Sequence, residues 1–396
     1  MFESVNLNDF NLPRRVGEDS EYVIDLGDCL IKYYEDLKAR IPRRSQCLSN
    51  VKENIDLINS CLNNYYNVKI AEAYDNIKDI LIKYAGGDKT SPFVVSVIDE
   101  NYAFRGSAPS KLIQKIYDTK ENEKVYKKMR EHPLCFFKAR IDEESLNAKD
   151  MLHIPLNRRE IIGTQRFSIP GIPCIYLSTT SYGTWIEMKC PKPNQFQVSS
   201  IKLPKDIRIL NLCIQQHLIN GKFSKNMNKA EENEALACIE IFPLVIATSY
   251  CVNQVDRKFK SEYIISQIVM QVCEELDIAG VAYLSTKTKD IYAYPQSVNL
   301  AIAIPNNEYS NYWKRADEVQ LTDPVRYSDF LKIREKNKEI ENKFLSYVNE
   351  IYKDDSDAPF DKIFSEENRE VKYIETNFSA FDEYILKQKF YPYKNL

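Results

Sequence analysis

The hydrophobic period of this chain changes once along its length, and that change limits the folds open to it. From residue 20, apolar residues fall at Val23, Leu26, Leu30, Tyr33 and Leu37, a helical stripe that closes before Pro42. A second stripe runs Val51, Ile55, Ile58, Leu62 and Tyr65, with Asn50 and Glu53 placed as a capping pair. A third runs Ile70, Tyr74, Ile77, Leu81 and Tyr84 and stops at Gly86-Gly87, a helix-terminating pair. From residue 135 the spacing shortens to strand-like runs: CFFKARI (135–141), CIYLS (174–178), FQVSSIKL (196–203), IRILNLC (207–213), GVAYLS (280–285) and VNLAIAI (298–304). One helix stands out among them, EYIISQIVMQVCEEL, with Ile264, Ile265, Ile268, Val269 and Val272 on one face. Strands that do not alternate regularly with helices predict an α+β domain with a mixed or antiparallel sheet.

Beyond Pro305 the chain is charged and helical again. A long helix is expected over 328–353 on the stripe Ile340, Phe344, Val348 and Ile351, then an acidic, loop-like patch over 354–370, and a last helix over 380–387. The expected organisation is a helical N-terminal domain over 1–90, opening on a partly ordered arm, a connecting region over 91–132, an α+β core over 133–306 and a helical C-terminal extension over 307–396. The plain reading of both helical flanks is packing or assembly without chemistry.

Composition narrows the function. An apolar share of 44% with 28% charged residues describes a soluble globular chain, and a formal charge of −3 supplies no field toward nucleic acid or an anionic membrane. No run of 18 apolar residues occurs and the start, MFESVNLNDF, has no basic-then-apolar signal pattern, so a cytoplasmic location is expected. The ten cysteines form no C-x-x-C pair and the only histidines are His132, His153 and His217. No metal is expected, and the cysteines are expected as small buried apolar residues. Neither G-x-G-x-x-G nor a GK[ST] loop is present, which removes the nucleotide sites built on those turns. A helical ribonuclease is also excluded, because the N-terminal bundle contains no histidine to act as its base.

The chemistry-bearing stretch is 151–191. Gly163, Gly171 and Gly183 allow close approaches or unusual backbone geometry, and Arg166 stands in a loop that leads into the strand of Tyr176. Glu187 follows, after a segment expected to be a loop. Upstream, Lys138 and Arg140 alternate on the 135–141 strand and therefore point to one side. Cations on a sheet face beside aromatic and carboxylate groups suit an anionic, ring-bearing ligand, against the plainer alternative of surface ion pairs.

The block HIPLNRREIIGTQRFSIPGIPCIYLSTTSYGTWIE resembles the central motif of the RES-domain family, and SEYIISQIVMQVCEELDIAGVAYLST followed by VNLAIAIP resembles that family's second half. The resemblance covers about residues 133–306. It implies a fold similar to ADP-ribosyltransferases, NAD as substrate with no bound cofactor, and cleavage of the nicotinamide–ribose bond by hydrolysis or phosphorolysis. It also implies a toxin, held in check by an Xre-type helix-turn-helix antitoxin.

The arginine, glutamate and serine that name the family correspond to Arg140, Glu187 and Ser285. Arg166 corresponds to the family's Gly-Arg-aromatic loop, Tyr176 to its strand tyrosine and Asn299 to an asparagine on the last strand. In that scheme Glu187 faces a developing ribose cation, Arg140 and Arg166 clamp the pyrophosphate, Tyr176 stacks on nicotinamide or abuts the ribose, and Ser285 holds a hydroxyl. Lys138 stands where the family often has another arginine, and a point charge does not replace a planar fork.

The bland alternatives are a solvated carboxylate for Glu187, a strand-end cap for Ser285, a core tyrosine for Tyr176 and a structural His153. Two further functions remain: ADP-ribosyl transfer to a macromolecule, and a catalytically silent protein that assembles through its helical flanks, with itself or with others. Trp185, two residues before Glu187, stands where protein-modifying relatives carry Glu or Gln and so weighs against transfer. Lys138 is the feature that favours silence.

Overall fold

The structure, a computed structural model, describes residues 12–39, 41, 45–85, 91–105, 134–215, 219, 229–254, 256–288, 296–336, 362–364 and 370–395. It divides into two compact units, the first from Met1–Asn122, Thr164–Ile169 and Ile207–Asp290, the second from Glu123–Gly163, Pro170–Asp206 and Ile291–Leu396. The chain is α+β, with helices and a mixed sheet.

In the first unit the three stripes form the helices Tyr22–Lys38, Gln46–Tyr66 and Ile70–Ala85, which bury Leu26, Leu30, Tyr33, Leu37, Val51, Ile58, Ile77 and Leu81. The second helix starts earlier than its expected capping pair. Ser45 Oγ accepts from Leu48 N–H at 3.3 Å and is the N-cap, so Asn50 and Glu53 lie inside the helix. Asn50 donates instead to Glu240 at 2.9 Å and Glu53 pairs with Lys83 at 3.0 Å. Pro42 and Gly86-Gly87 lie outside the described residues.

A helix that the periodicity did not announce, Lys229–Thr248, runs buried beside them. From Ala235 to Ala247 it is apolar on nearly every side, so it has no stripe to detect, as expected of a helix surrounded by others. Pro243 sits within it and cannot donate to the carbonyl four residues back, Ile239. Tyr33 Oη donates to that carbonyl at 2.8 Å, and its ring lies 5.3 Å from Phe242. A helix–helix contact thus repairs the defect that the proline makes.

The strands of this unit are Val95–Val97, antiparallel to Arg208–Leu212, and Gly280–Leu284, parallel to Arg208–Leu212. Parallel neighbours require a long crossover, and here it carries the helices Lys229–Thr248 and Ile264–Glu275. Part of the expected N-terminal arm is ordered: Arg14–Arg15 pairs in parallel with Tyr250–Cys251. Among the described residues no helix is long and apolar enough to cross a membrane.

The second unit is built on an antiparallel sheet. Its order is Tyr391–Pro392, Gln320–Leu321, Phe196–Lys202, Phe136–Ile141, Cys174–Ser178 and Val298–Ala303, with Val325–Arg326 also on Phe196–Lys202. One core cluster joins Phe137, Ala139, Phe196 and Val198 of the strands to Tyr182, Ile186, Phe330, Phe378 and Phe381 of the helices Ser181–Glu187, Tyr327–Lys336 and Asn377–Leu386. The last helix begins earlier than expected because Thr376 caps it, accepting from Ser379 N–H at 3.2 Å. Most of the helix expected over 328–353 lies outside the described residues. The patch expected as loop over 354–370 contains a strand, Lys362–Phe364, which pairs with Glu370–Lys372.

Tyr33→Phe tests the proline repair in the first unit. It leaves the Ile239 carbonyl buried without a donor, so a loss of about 1–3 kcal/mol is expected. Urea denaturation of both forms measures it; equal midpoints would remove the hydroxyl from any account of this helix.

Candidate active site

Glu187 is carried by a helix, not by the expected loop. The strand Cys174–Ser178 passes into Ser181–Glu187 within two residues, with Thr180 in extended conformation as N-cap and its Oγ1 accepting from Gly183 N–H at 2.9 Å. Seven residues are too few for an 11–18-residue periodicity window, which is why the sequence reads as irregular there. Gly183 is required by space: a Cβ would collide with Ser178 Oγ and stand 3.1 Å from the Gln296 carbonyl. Without that side chain the helix lies directly on its own strand.

Glu187 is half-buried at the C-terminal turn, the end of the helix that carries partial negative charge and disfavours a carboxylate. The offsetting contact is a hydrogen bond of 2.7 Å from Asn299 Nδ2 to Glu187 Oε1. Asn299 lies on Val298–Ala303, directly opposite Ser178. A carboxylate only accepts, so this bond fixes the asparagine amide with Nδ2 toward Glu187. Its buried Oδ1 then faces away, with no hydrogen-bond partner among the described residues.

The cations stand on the other side of the sheet strand. Phe137 and Ala139 belong to the helix-facing core, so Lys138 and Arg140 project from the opposite face, beside Ser199 and Gln197 of the paired strand. Asn299 is opposite Ser178 and Ser178 opposite Phe137, which puts Asn299 and Tyr176 on the helix-facing side. Phe136–Ile141 and Cys174–Ser178 share only the pair Phe137–Ser178, whereas Phe136–Ile141 pairs with Phe196–Lys202 along its whole length. Beyond that one pair no ladder joins the two strands, and this gap separates the cations from Tyr176.

Lys138 is only 9% exposed. Burial, reinforced by Arg140, pushes its ammonium down to about 7, and burial lowers the Arg140 guanidinium as well. Ser199 Oγ and Arg140 Nε are buried with no hydrogen-bond partner among the described residues. Arg140 opens into a cavity of about 470 Å³ that is also lined by Asp150, Arg158, Tyr312 and Met188, the residue after Glu187. His153 borders it too but is occupied: Nε2 accepts from Trp313 N–H at 3.0 Å and Nδ1 meets the Ile154 carbonyl at 2.8 Å. Burial drives its imidazole down to about 4, which suits a neutral structural histidine. The cavity lining outside strand 136–141 escaped the sequence reading because Asp150, Arg158 and Tyr312 carry no spacing signal.

Two further expected residues, Arg166 and Ser285, belong to the first unit. Arg166 donates to the Thr248 carbonyl and, at 3.3 Å, to that of Leu284, with its guanidinium 4.8 Å from the centre of the Tyr283 ring. Those bonds tie the Thr164–Ile169 segment to the Gly280–Leu284 strand. Ser285 Oγ accepts from Lys287 N–H at 3.1 Å, a turn-closing contact just after that strand. In the second unit, Tyr176 is half-buried on Cys174–Ser178 opposite Ala301. The second unit thus joins Glu187 to Asn299 and sets Lys138 beside Arg140.

The chain is 32% identical over 209 residues to a Bacillus subtilis (strain 168) protein named "Putative toxin YopC", a match covering 50% of this chain and 47% of that one. It therefore spans about half the length of the curated relative it matches. No family model matches the chain. No solved structure matches it.

Lys138 supplies a test that needs no ligand. The folded state releases this proton at about 7 and the unfolded state near 10.5, so between those values the unfolded chain binds more protons. Stability is expected to rise as pH increases from about 7 toward about 10 and to lose that rise in Lys138→Met, which should also melt several degrees higher at pH 7. Thermal melts across pH decide it; parallel curves for both forms would mean that Lys138 keeps an ordinary pKa.

Proposed function

We propose that this chain is an NAD-degrading enzyme that acts as a toxin, with Glu187 as its working carboxylate. The observation that carries the reading is the Asn299–Glu187 hydrogen bond, which couples two residues named by the RES-domain resemblance at positions 112 residues apart. The name of the Bacillus subtilis relative supports the toxin role. The antiparallel sheet, with its ladder interrupted after Phe137–Ser178, agrees with an ADP-ribosyltransferase-like core.

Nicotinamide leaves NAD as a neutral amide from a charged pyridinium, so no proton need be delivered to it. The C1′–N bond breaks with its electron pair going to the ring nitrogen. Water or phosphate then bonds to C1′, and an attacking water gives up a proton. The protein must stabilise the cationic ribose and hold the substrate still. Glu187 supplies the negative charge, and Asn299 holds it in one orientation while its free Oδ1 accepts from a substrate N–H or O–H. Arg140, on the other face of its strand and lining the cavity that Met188 also borders, serves the pyrophosphate through charge-assisted hydrogen bonds, with Lys138 two residues before it on the same face. The bonds already made by Arg166 and Ser285 within the first unit give them a supporting role in this scheme.

Transfer to a macromolecule is the less favoured reaction. Trp185 occupies the position two residues before Glu187, and its indole N–H donates to the Pro191 carbonyl at 3.1 Å while its ring packs 5.2 Å from Phe378. That side chain is half-buried, with both its N–H and its ring engaged within the protein. The toxin would act in the cytoplasm, and a small helix-turn-helix antitoxin is the partner this reading calls for.

Incubation of the protein with NAD, with and without phosphate, should release free nicotinamide detectable by chromatography. Glu187→Ala should lower the rate by about a hundredfold or more, the scale of losing a transition-state electrostatic contact. Expression of the wild type should arrest growth and that of Glu187→Ala should not. Absence of turnover in both buffers, or equal rates for the two proteins, would sink the enzyme reading, and label from NAD left on protein or nucleic acid would replace hydrolysis by transfer.

A further inference from the structure

The segment after residue 370 lies outside the resemblance, yet it touches the Glu187 helix at its first residue. Asp382, on Asn377–Leu386, is fully buried, and its Oδ1 accepts from Ser181 N–H at 2.9 Å. Its Oδ2 accepts from Tyr373 Oη at 2.5 Å. Ser181 N–H is one of the orphan donors at a helix start, and the Thr180 hydroxyl is already engaged with Gly183. Phe378, one turn before Asp382, packs 5.6 Å from Tyr182 and 5.2 Å from Trp185. The short helix is therefore held at its N-terminus by a carboxylate, along its flank by an aromatic ring, and at its C-terminus by Asn299.

We propose that Asp382 is a positioning residue, by which the C-terminal segment fixes the Ser181–Glu187 helix so that Glu187 meets Asn299. The first and last residues of the helix, Ser181 and Glu187, are then each held by an element distant in the chain. A helix of two turns has too little hydrogen bonding of its own to stay in place. Removal of the carboxylate takes an acceptor from both Ser181 N–H and Tyr373 Oη and lets the helix swing on its strand. Asparagine at 382 restores both bonds, since its oxygen accepts from Ser181 N–H and its amide donates to the tyrosine oxygen. The inference rests on the reading of Glu187 as the working carboxylate, but its geometry is measurable without any turnover.

Trp185 lies on the helix in question and Trp313 is the only other tryptophan. In a Trp313→Phe background, Trp185 alone reports the helix. Asp382→Ala should move its emission to the red and raise its quenching by acrylamide, while the far-ultraviolet spectrum stays folded; Asp382→Asn should leave both near the parent values. With NAD, Asp382→Ala should lower kcat by about tenfold or more and change KM by less than about threefold, with Asp382→Asn restoring kcat, because misplacing a reacting group costs rate more than binding. Should Asp382→Ala fail to fold, Tyr373→Phe, which deletes one of the two bonds, is read in the same way and should shift Trp185 in the same direction by less. An unmoved Trp185 signal in a folded variant overturns the proposal, and so does a kcat equal to the parent's. If the parent protein does not cleave NAD at all, the enzyme reading fails, and the Trp185 signal still decides whether Asp382 positions the helix.

Discussion

A hydrogen bond of 2.7 Å between Asn299 and Glu187 ties the last residue of the short helix Ser181–Glu187 to the strand Val298–Ala303. It sets a negative charge at the negative end of a helix, where the local dipole opposes it. The helix is also held elsewhere: by Gly183 against Ser178, by the Thr180 cap and by the Asp382 carboxylate. Each of these contacts removes a way for the helix to turn its last residue out to solvent. A glutamate on an open loop would need none of them and would have no fixed orientation.

The electrostatics of the same unit run in the opposite sense on the far side of strand Phe136–Ile141. Lys138 and Arg140 are like charges two residues apart, both partly stripped of water, and neither forms an ion pair with another described residue. Such a pair costs the fold stability. An anion entering beside Arg140 would recover the desolvation cost of both cations at once, and Lys138 would take up a proton as it did so. A lysine differs from an arginine here in that it can surrender its charge while the site is empty. At residue 138 a lysine can therefore lower the cost of its own burial by losing its proton, which an arginine does not do.

The six longer strands were readable from the sequence, because period-two runs flanked by turn residues survive on any sheet: Cys174–Ser178 matches its run completely and the others lose a residue or two at their ends, whereas the strands of two or three residues were too short to read. The three N-terminal helices were readable for the same reason, at a different period. The helices that escaped fall into two kinds. Lys229–Thr248 is too uniformly apolar to show a face, and its proline argued against a helix until Tyr33 supplied the missing donor. Ser181–Glu187 is too short to show a period, and its start depends on Asp382, a partner 201 residues away. At the site, Glu187 and Asn299 were legible through resemblance, whereas Asp382, Tyr373 and the cavity-lining Asp150, Arg158 and Tyr312 were not, because their placement is purely tertiary.

The bond between Ser181 and Asp382 also has a meaning in time. During synthesis, two hundred residues must follow Ser181 before its partner exists, and at ordinary rates of elongation this takes on the order of ten seconds or more. Throughout that interval the strand of Tyr176 and the helix of Glu187 are present without the carboxylate that holds them in register. The helix that carries Glu187 is thus synthesised well before the carboxylate that accepts from its first N–H.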